Sequence, residues 1–595
     1  MSPPHPDPAA RTQRLVALLT WLLAAAGVAG LASLVAQYGF VLDDGALRIL
    51  RYVDFTVLAL FVVQRLLRAS VEPHPLVYVR SHKTDFALIG LIVLSFAGLA
   101  AAGGGEHLRA VARSLHIEDV TRVYVIAAQV FVLAGVGLQA LRASRIVASL
   151  RIHPSVTLIA SFLAVILLGT LGLMLPRATD AGALRPVDAL FMATSATCVT
   201  GLAVVDPASS FTGLGQLLTF AMIQIGGLGI MTFTSFFALL AGAGIGVKER
   251  LLMSELLSAE NVGAIRGTLT RVLGMTLILE GAGAIVLYYA WGDAGGEGLR
   301  RASWAVFHSV SAFCNAGFSL FPEGMGHSAF AAHPAATLTI AFLVVAGGLG
   351  FPVVTSVHRV LRWRLTGRRG PIRRLTVHAR LVLYTTALLL AGGTAAFILL
   401  EADGVLAGRP AGERLLHSFF QSVTVRTAGF STVPVGALLT PTVLVMIALM
   451  FVGASPASTG GGIKTTTFAL GCAAIVAFGS GRRGVEMFRR QISQSSLSRA
   501  LVTLTLSLGV VLAGTLLLTL TERAGFLDLL FEAVSAFATV GLTRGVTPSL
   551  TDAGKLVLVA LMVVGRVGAF TVVLALLPQK DEGLHDYPEE NVLTS

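Results

Sequence analysis

An all-α polytopic membrane protein is the fold class this sequence predicts, and three observations predict it. Of 595 residues, 55% are apolar and only 13% are charged, where a soluble globular domain carries about 25% charged residues. The apolar residues fall in runs of about 20, the length that crosses a bilayer as a helix. Glycine occurs 64 times without a collagen-like period, and glycine is frequent in membrane-spanning helices. Together these numbers exclude a conventional water-soluble enzyme and a disordered chain.

The formal net charge of +12 is placed rather than spread. Basic residues cluster in connectors between apolar runs: Arg65, Arg68, Arg80 and Lys83, then Arg142, Arg145 and Arg151, then Arg482, Arg483, Arg489 and Arg490. The densest stretch holds Arg359, Arg362, Arg364, Arg368, Arg369, Arg373, Arg374 and Arg380. Intervening connectors, Asp43-Asp44 through Arg51 and Glu106 through Arg122, are balanced in charge. That asymmetry marks cytoplasmic loops, so the positive charge sets orientation in the bilayer and does not argue for nucleic acid. Cys198, Cys314 and Cys472 are too few and too scattered for a disulfide scaffold or a zinc site.

The first apolar run, near 15–38, has the start of a signal peptide, but no small-residue cleavage site and soluble domain follow it. It reads as a retained span. Further runs near 52–67, 84–102 and 121–141 complete about four N-terminal transmembrane helices, a membrane module over residues 1–150. An even number returns the chain to the side of the basic loop 142–153, so both termini are expected in the cytoplasm and the protein in the plasma (inner) membrane. Asp54 and Asp85 with Arg65 and Arg68 faintly suggest a voltage-sensor-like bundle, but no span carries an arginine at every third position. The module is expected to serve packing or an interface.

Beyond residue 150 the sequence repeats. Long apolar runs open each copy: Leu158–Pro176, Leu269–Trp291, Leu381–Glu401 and Leu501–Glu522. A shorter segment follows, reading FMATSATCVTGLA from Phe191, FHSVSAFCNAGFS from Phe307, FFQSVTVRTAGFS from Phe419 and FEAVSAFATVGLT from Phe531. These phenylalanines are 116, 112 and 112 residues apart, and a glycine stands ten residues after each: Gly201, Gly317, Gly429 and Gly541. A second glycine cluster comes 24 to 30 residues later, at Gly226, Gly347, Gly453 and Gly565. One such match is weak in a glycine-rich chain; constant spacing on several features is a fourfold repeat. The units are 151–250, 251–365, 366–495 with an interrupted helix, and 496–578, with a cytoplasmic tail over 579–595. Each is a helix, a short re-entrant segment and a second helix, set around a pseudo-fourfold pore.

The short segments hold about ten to twelve residues before the glycine, enough for a half-helix but not a span. Irregular backbone at membrane depth survives only where protein buries it or where it lines a watery cavity. Four half-helices aimed at one axis would present their partially negative C-termini, which favours a cation. Glycine admits positive φ, letting neighbouring carbonyls replace a cation's hydration shell. The candidate selectivity filter is therefore Val199-Thr200-Gly201, Asn315-Ala316-Gly317, Thr427-Ala428-Gly429 and Thr539-Val540-Gly541, with backbone carbonyls as ligands. The competing reading is that these glycines permit close helix packing.

The third unit interrupts its second run with Gly453, Ala454, Ser455, Ser458, Thr459, Gly460, Gly461, Gly462 and Lys464 around Pro456. The helix should break there near mid-bilayer, and the loop so formed would obstruct a path below the filter. Lys464 and Arg566 place positive charge inside the membrane, where cations are functional candidates; helix-end snorkelling is the alternative. The string GGGIKT from Gly460 lacks the P-loop's glycine-lysine adjacency and preceding strand. Arg426 stands where the first two units have Cys198 and Cys314 and is read as bracing loop carbonyls. Equivalent placement predicts that these two cysteines respond to thiol reagents. Glu280, central in an apolar run, is expected to pair with a polar neighbour or to contribute to ion coupling.

These motifs resemble the Trk/Ktr/HKT superfamily of potassium transporters, and most the bacterial TrkH/KtrB membrane subunits. The resemblance is carried by TSATCVTGL at Thr194–Leu202, SAFCNAGFS at Ser311–Ser319, SVTVRTAGFS at Ser422–Ser431, GASPASTGGGIKTTT at Gly453–Thr467 and GRVG at Gly565–Gly568. It implies potassium as the transported ion, held at the filter carbonyls, with Gly201 in place of the serine that accompanies sodium in some plant relatives. It implies that the loop after Gly453 is an intramembrane gate and that Arg566 is a positive barrier beneath the filter. It also implies a homodimer resting on a cytosolic TrkA/KtrA-like ring that binds ATP, ADP or NAD, with the arginine-rich loops 359–380 and 482–490 as contact surfaces. No covalently bound cofactor is expected. None of the four segments matches the TVGYG string of potassium channels, which implies fewer ion sites and looser selection. The potassium-pump subunit KdpA fits less well, because its first filter begins nearer the N-terminus. A sodium- or proton-coupled cation symporter with weak potassium selectivity remains an alternative. A membrane-embedded enzyme would need catalytic residues converging at one depth, such as paired aspartates within the apolar runs or HExxH, and the sequence has neither there; a non-transporting scaffold or sensor would not need four intact glycines.

Overall fold

A computed structural model of the chain describes residues 27–72, 74–81, 83, 86, 89–90, 154–240, 265–292, 298–321, 324–326, 333–367, 374–482 and 484–576. The chain divides into two compact units, residues 1–151 with 175–177, and the remainder. In the first, helix Asp44–Val71 starts at Asp43, whose carboxylate accepts the Ala46 N–H. It covers the expected span 52–67. Residues 27–39 are also helical; the expected spans 84–102 and 121–141 lie largely or wholly outside the described residues. Asp54 and Arg65 of this unit are locally engaged. Gln37 Nε2 donates to Asp54 Oδ2 at 2.6 Å, and Arg65 donates to the Tyr78 hydroxyl at 3.3 Å while lying over the Phe61 ring.

The second unit is built from the expected pattern of long helix, short helix and second helix. The long helices are Pro154–Leu173, Ile265–Ala290, Val377–Leu400 and Gln494–Thr521. Each begins a few residues before its apolar run. Thr376 and Ser493 explain two of these early starts, because their hydroxyls accept the N–H groups of Ala379 and Ser496 and so satisfy a helix start made of polar residues. The short helices are Pro186–Thr197, Gly298–Phe313, Ala411–Thr424 and Phe526–Phe537. Their C-terminal halves are buried on every side, as in the unbroken buried run from Phe191 to Thr200. A helix too short to span is thus enclosed by protein.

The second helices differ in how they continue. Gly213–Leu240 is unbroken. Pro334–Leu349 turns by 103° into Phe351–Leu365, and Asp552–Val567 turns by 94° into Ala569–Leu576. The bends fall at Gly350 and Gly568, with φ of 83° and 96°, which glycine adopts without steric cost. The same string GGLG occurs at 226–229 and 347–350, yet only the latter is followed by Pro352, whose missing N–H ends one helix and starts the next. In the third unit Thr440–Phe451 stops, and Thr465–Gly479 resumes after a loop.

The order of packing closes a ring. Each second helix lies against the short helix of the following unit: Gly213–Leu240 on Gly298–Phe313, Pro334–Leu349 on Ala411–Thr424, Thr440–Phe451 on Phe526–Phe537, and Asp552–Val567 back on Pro186–Thr197. This last seam joins the two ends of the repeat. It is held by Lys555 Nζ to Asp188 Oδ1 at 2.6 Å, with the side chains 8% and 14% exposed, and by the outer pair Arg185–Asp552, also 2.6 Å but 64% and 48% exposed. Removing one member of a buried pair leaves the other charge stranded, at a cost of about 3–5 kcal/mol; an exposed pair is worth about 0–1 kcal/mol. Lys555→Met is therefore expected to lower the thermal stability of the detergent-solubilised protein far more than Arg185→Ala. Adding Asp188→Leu to Lys555→Met should restore much of the loss. Equal melting of Lys555→Met and the parent would mean the seam does not depend on this pair.

Among the described residues one short element is a β-hairpin. Glu486–Met487 pairs antiparallel with Arg490–Gln491, and the tip residues Phe488 and Arg489 both have positive φ, as a type I′ turn requires. Phe488 stacks on Tyr384 of the third long helix at 5.7 Å. The part of the basic segment 482–490 from Glu486 onward is a hairpin rather than a plain loop.

Candidate ion pathway

The four glycine segments share one backbone design. At each short-helix end the chain enters left-handed backbone at Val199, Asn315, Thr427 and Thr539, with φ of 57°, 61°, 76° and 52°. Two residues later Gly201, Gly317, Gly429 and Gly541 have φ of 96°, 71°, 77° and 89°. Left-handed backbone at a β-branched residue is a true outlier and costs about 1–3 kcal/mol. Such strain persists only where the surroundings impose it. Left-handed backbone at the first and third residues of each segment breaks the alternation of carbonyls that an extended strand would have.

Hydrogen bonds impose the design. The middle residue's N–H returns to the helix, from Thr200 to Ser195 O at 2.8 Å, Ala316 to Ser311 O at 2.7 Å, Ala428 to Thr424 O at 3.0 Å and Val540 to Ser535 O at 2.8 Å. Hydroxyls then fix the exit. Ser311, Thr424 and Ser535 donate to the carbonyls of Phe318, Phe430 and Leu542, each just past the glycine. Farther along, His308 meets Ser319, Gln421 donates to Ser431 at 3.0 Å, and Glu532 accepts from Thr543 and from the Arg544 N–H. In the first unit Met192 and Ala203 stand where the second has His308 and Ser319 and the fourth has Glu532 and Thr543, and neither side chain can make this tie.

The glycines meet in cyclic order. A Cβ placed on Gly201 would fall 2.5 Å from Ala316 O, one on Gly317 2.8 Å from Ala428 O, and one on Gly429 2.5 Å from Val540 O. A Cβ on Gly541 would strike Thr200 O, closing the circuit. The four glycines and the carbonyls of Thr200, Ala316, Ala428 and Val540 are thus brought together, with the left-handed residues Val199, Asn315, Thr427 and Thr539 next to them in the chain, and each glycine is required twice, for its φ and for its neighbour's carbonyl. The second glycine clusters have a related purpose. A Cβ on Gly226, Gly347 or Gly565 would strike the carbonyl of Thr197, Phe313 or Phe537 respectively, so these glycines let each second helix press against the end of its own short helix.

The loop of the third unit lies against the ring. Val452 bridges Ile463, and Ala454 N–H donates to Gly461 O at 3.3 Å. Ser455 and Thr459 donate through their N–H groups to Gly348 and Gly347 of the second unit, at 3.0 and 3.3 Å, and Gly462 donates to Gly565 O of the fourth at 3.2 Å. Gly461 N–H donates to Thr539 Oγ1 at 3.0 Å, and Thr459 Oγ1 donates to Phe313 O at 3.1 Å. Within the loop, Ser458 Oγ donates to Ser455 O at 2.6 Å and Lys464 Nζ to Gly460 O at 2.8 Å. Lys464 therefore serves its own loop. Arg566 is 2% exposed; its terminal nitrogens donate to Thr459 O in the loop and to Gly226 O in the first unit, while Nε has no partner. Arg426 Nη2 reaches Gly453 O, where the loop begins, at 3.4 Å.

Glu280 pairs with Gln224 Nε2 at 3.2 Å and faces the Cys314 thiol at 3.7 Å. Cys314 also lies where a Cβ on Gly227 would strike its sulfur, so it sits behind its segment, against a helix. Cys198 and Cys314 are buried and Cys472 is exposed; a thiol reagent reaches the first two only if this packing opens.

Sequence reasoning missed the left-handed residues, because valine, asparagine and threonine carry no sign of that conformation. Ser195, Ser311 and Ser535 stand at constant spacing in the sequence, but spacing alone does not say that Ser311 and Ser535 hold carbonyls while Ser195 Oγ accepts the Gly201 N–H.

Residues 122–582 match the family model TrkH, described as a cation transport protein. The chain is similar to the Ktr system potassium uptake protein B of Bacillus subtilis, 37% identical over 462 residues that cover 76% of this chain and 99% of that protein. It is 38% identical to the protein of the same name from Vibrio alginolyticus, covering 72% and 94%. It is 35% identical to the potassium/sodium uptake protein NtpJ of Enterococcus hirae, covering 74% and 97%. The fold matches that of the solved potassium transporter TrkH from Vibrio parahaemolyticus with a TM-score of 0.60 at 18% identity, over 83% of this chain and 97% of that one.

Proposed function

The chain belongs to the TrkH family of cation transport proteins, a transporter rather than an enzyme, and from that premise we propose that it carries potassium across the plasma membrane through the ring of the four glycine segments. The observation that supports this reading is the cyclic meeting of Gly201, Gly317, Gly429 and Gly541, each beside the next unit's carbonyl. A dehydrated cation needs several oxygens at once, and carbonyls fixed by strained backbone supply them without the cost of ordering side chains. Val199, Thr200, Asn315, Ala316, Thr427, Ala428, Thr539 and Val540 complete the filter. The loop from Gly453 to Lys464 is the gate, and Arg566 is the positive barrier beside it. In this reading the protein is a homodimer with cytoplasmic termini, regulated by a cytosolic nucleotide-binding ring that meets the basic helix Phe351–Leu365 and the hairpin at Glu486–Gln491.

The Enterococcus relative is named a potassium/sodium uptake protein, and a second reading in which sodium also passes is a sodium- or proton-coupled symporter with weak potassium preference. The two separate in proteoliposomes holding the purified chain. Uptake of potassium driven by its own gradient, with sodium and proton gradients collapsed, is the expected result. Uptake that appears only with an imposed sodium or proton gradient establishes coupling, and no cation flux even with the regulatory partner present removes the transport reading.

A further inference from the structure

The residue two before each glycine does more than shape the ring. Val199, Asn315, Thr427 and Thr539 are all fully buried, and the three polar ones are joined to neighbours. In the amide orientation that satisfies every atom, Asn315 Oδ1 accepts from Thr427 Oγ1 at 3.0 Å, across the seam between the second and third units, and its nitrogen faces the carbonyls of Ala312, Phe313 and Val344. Thr539 Oγ1 accepts the Gly461 N–H of the loop. A Cβ on Gly460 would strike Thr427 Oγ1, and one on Gly461 would lie 2.5 Å from Thr539 Oγ1, so these loop glycines are fitted to the two threonines.

Resting on the reading of the ring as potassium's path, we infer that Asn315, Thr427 and Thr539 are positioning residues that couple ion occupancy of the ring to the position of the gate loop. A cation on the carbonyls and the loop on the threonine side chains both stabilise one strained arrangement of the same residues. Two ligands that favour one conformation favour each other, by the same factor in each direction. An ion that fits the ring should therefore tighten the loop, and withdrawal of the loop should loosen the ring's choice of ion. The first unit, with Val199, contributes no such hydrogen bond.

Amide hydrogen exchange of the loop in the full-length purified protein tests this, in potassium chloride against choline chloride. Potassium is expected to slow exchange at Thr459 and Gly461 by about fivefold, the change one ordinary hydrogen bond makes in an equilibrium. Thr539→Val keeps the β-branch but removes the acceptor; it should abolish the potassium effect at Gly461 and lower the potassium-to-sodium flux ratio, and Thr539→Ser should restore both. Thr427→Val cuts the Asn315 link and serves if Thr539→Val fails to fold. Loop exchange identical in the two salts, or potassium protection surviving both valine variants, overturns the coupling while leaving potassium flux intact. Absence of flux in the parent protein instead defeats the transport reading on which it rests.

Discussion

Gly201→Ser is expected to leave a folded transporter that has lost at least about tenfold of its preference for potassium over sodium. Two costs act at this one atom. The new Cβ meets a φ of 96°, which costs a non-glycine residue about 1–2 kcal/mol. It also falls 2.5 Å from Ala316 O, closer than a carbon and a carbonyl oxygen can rest, so the carbonyl must swing aside. Selection between ions depends on the number and spacing of these oxygens, and about 1.4 kcal/mol of difference between the two ions is a factor of ten. Gly541→Ser strikes Thr200 O more closely still and should do at least as much. Gly182 is the control: its φ is 91°, but nothing lies within 4 Å of its Cβ position. Gly182→Ser pays the backbone cost alone and should leave the flux ratio unchanged. Potassium and sodium uptake by the three variants in proteoliposomes gives the comparison. An unaltered ratio in Gly201→Ser would remove Gly201 from the filter.

What could be read in advance follows from which residues have no substitute. Gly201, Gly317, Gly429 and Gly541 recur at fixed spacing because each satisfies both a positive φ and a close carbonyl, so the pattern is visible in the sequence. Gly226, Gly347 and Gly565 recur for the close carbonyl alone, against the ends of the short helices. The left-handed Val199, Thr427 and Thr539 were hidden, since intrinsic preference argues against them and only tertiary hydrogen bonds hold them there. The bend at Gly350 and the straight helix through Gly229 arise from identical GGLG strings, and the distinction lies in Pro352 beyond the motif. The seam between the fourth and first units was illegible for another reason: Lys555 and Asp188 are 367 residues apart, and no local period connects them. The hairpin at Glu486–Gln491 lacks the Asn-Gly or Gly turn that announces such a structure, and its Phe488-Arg489 tip reads as ordinary chain.

Arg566→Gln is expected to raise potassium flux, by about tenfold or more, without unfolding the protein. The guanidinium is buried beside the loop with no carboxylate bonded to it among the described residues, so its full charge acts on any cation leaving the ring. Two like charges a few ångströms apart repel by a few kcal/mol at an effective dielectric of about 20, enough to set a rate. The same side chain ties Thr459 O in the loop to Gly226 O in the first unit, so removing it both lowers the electrostatic barrier and frees the loop. Arg566→Lys separates these effects. It keeps the charge, but one ammonium cannot reproduce the guanidinium's fixed fork between two carbonyls, so the loop should loosen while the barrier stands. Flux in Arg566→Lys is therefore expected between that of the parent and Arg566→Gln if the charge dominates, and equal to Arg566→Gln if the tie dominates. Leaving two carbonyls unpaired costs about 1–3 kcal/mol each, a loss that a membrane helix bundle of this size can absorb and that size-exclusion chromatography will register if it cannot. Unchanged flux in well-folded Arg566→Gln would show that Arg566 holds the loop's resting shape without standing in the ion's way, and the barrier would then belong to the loop's own backbone.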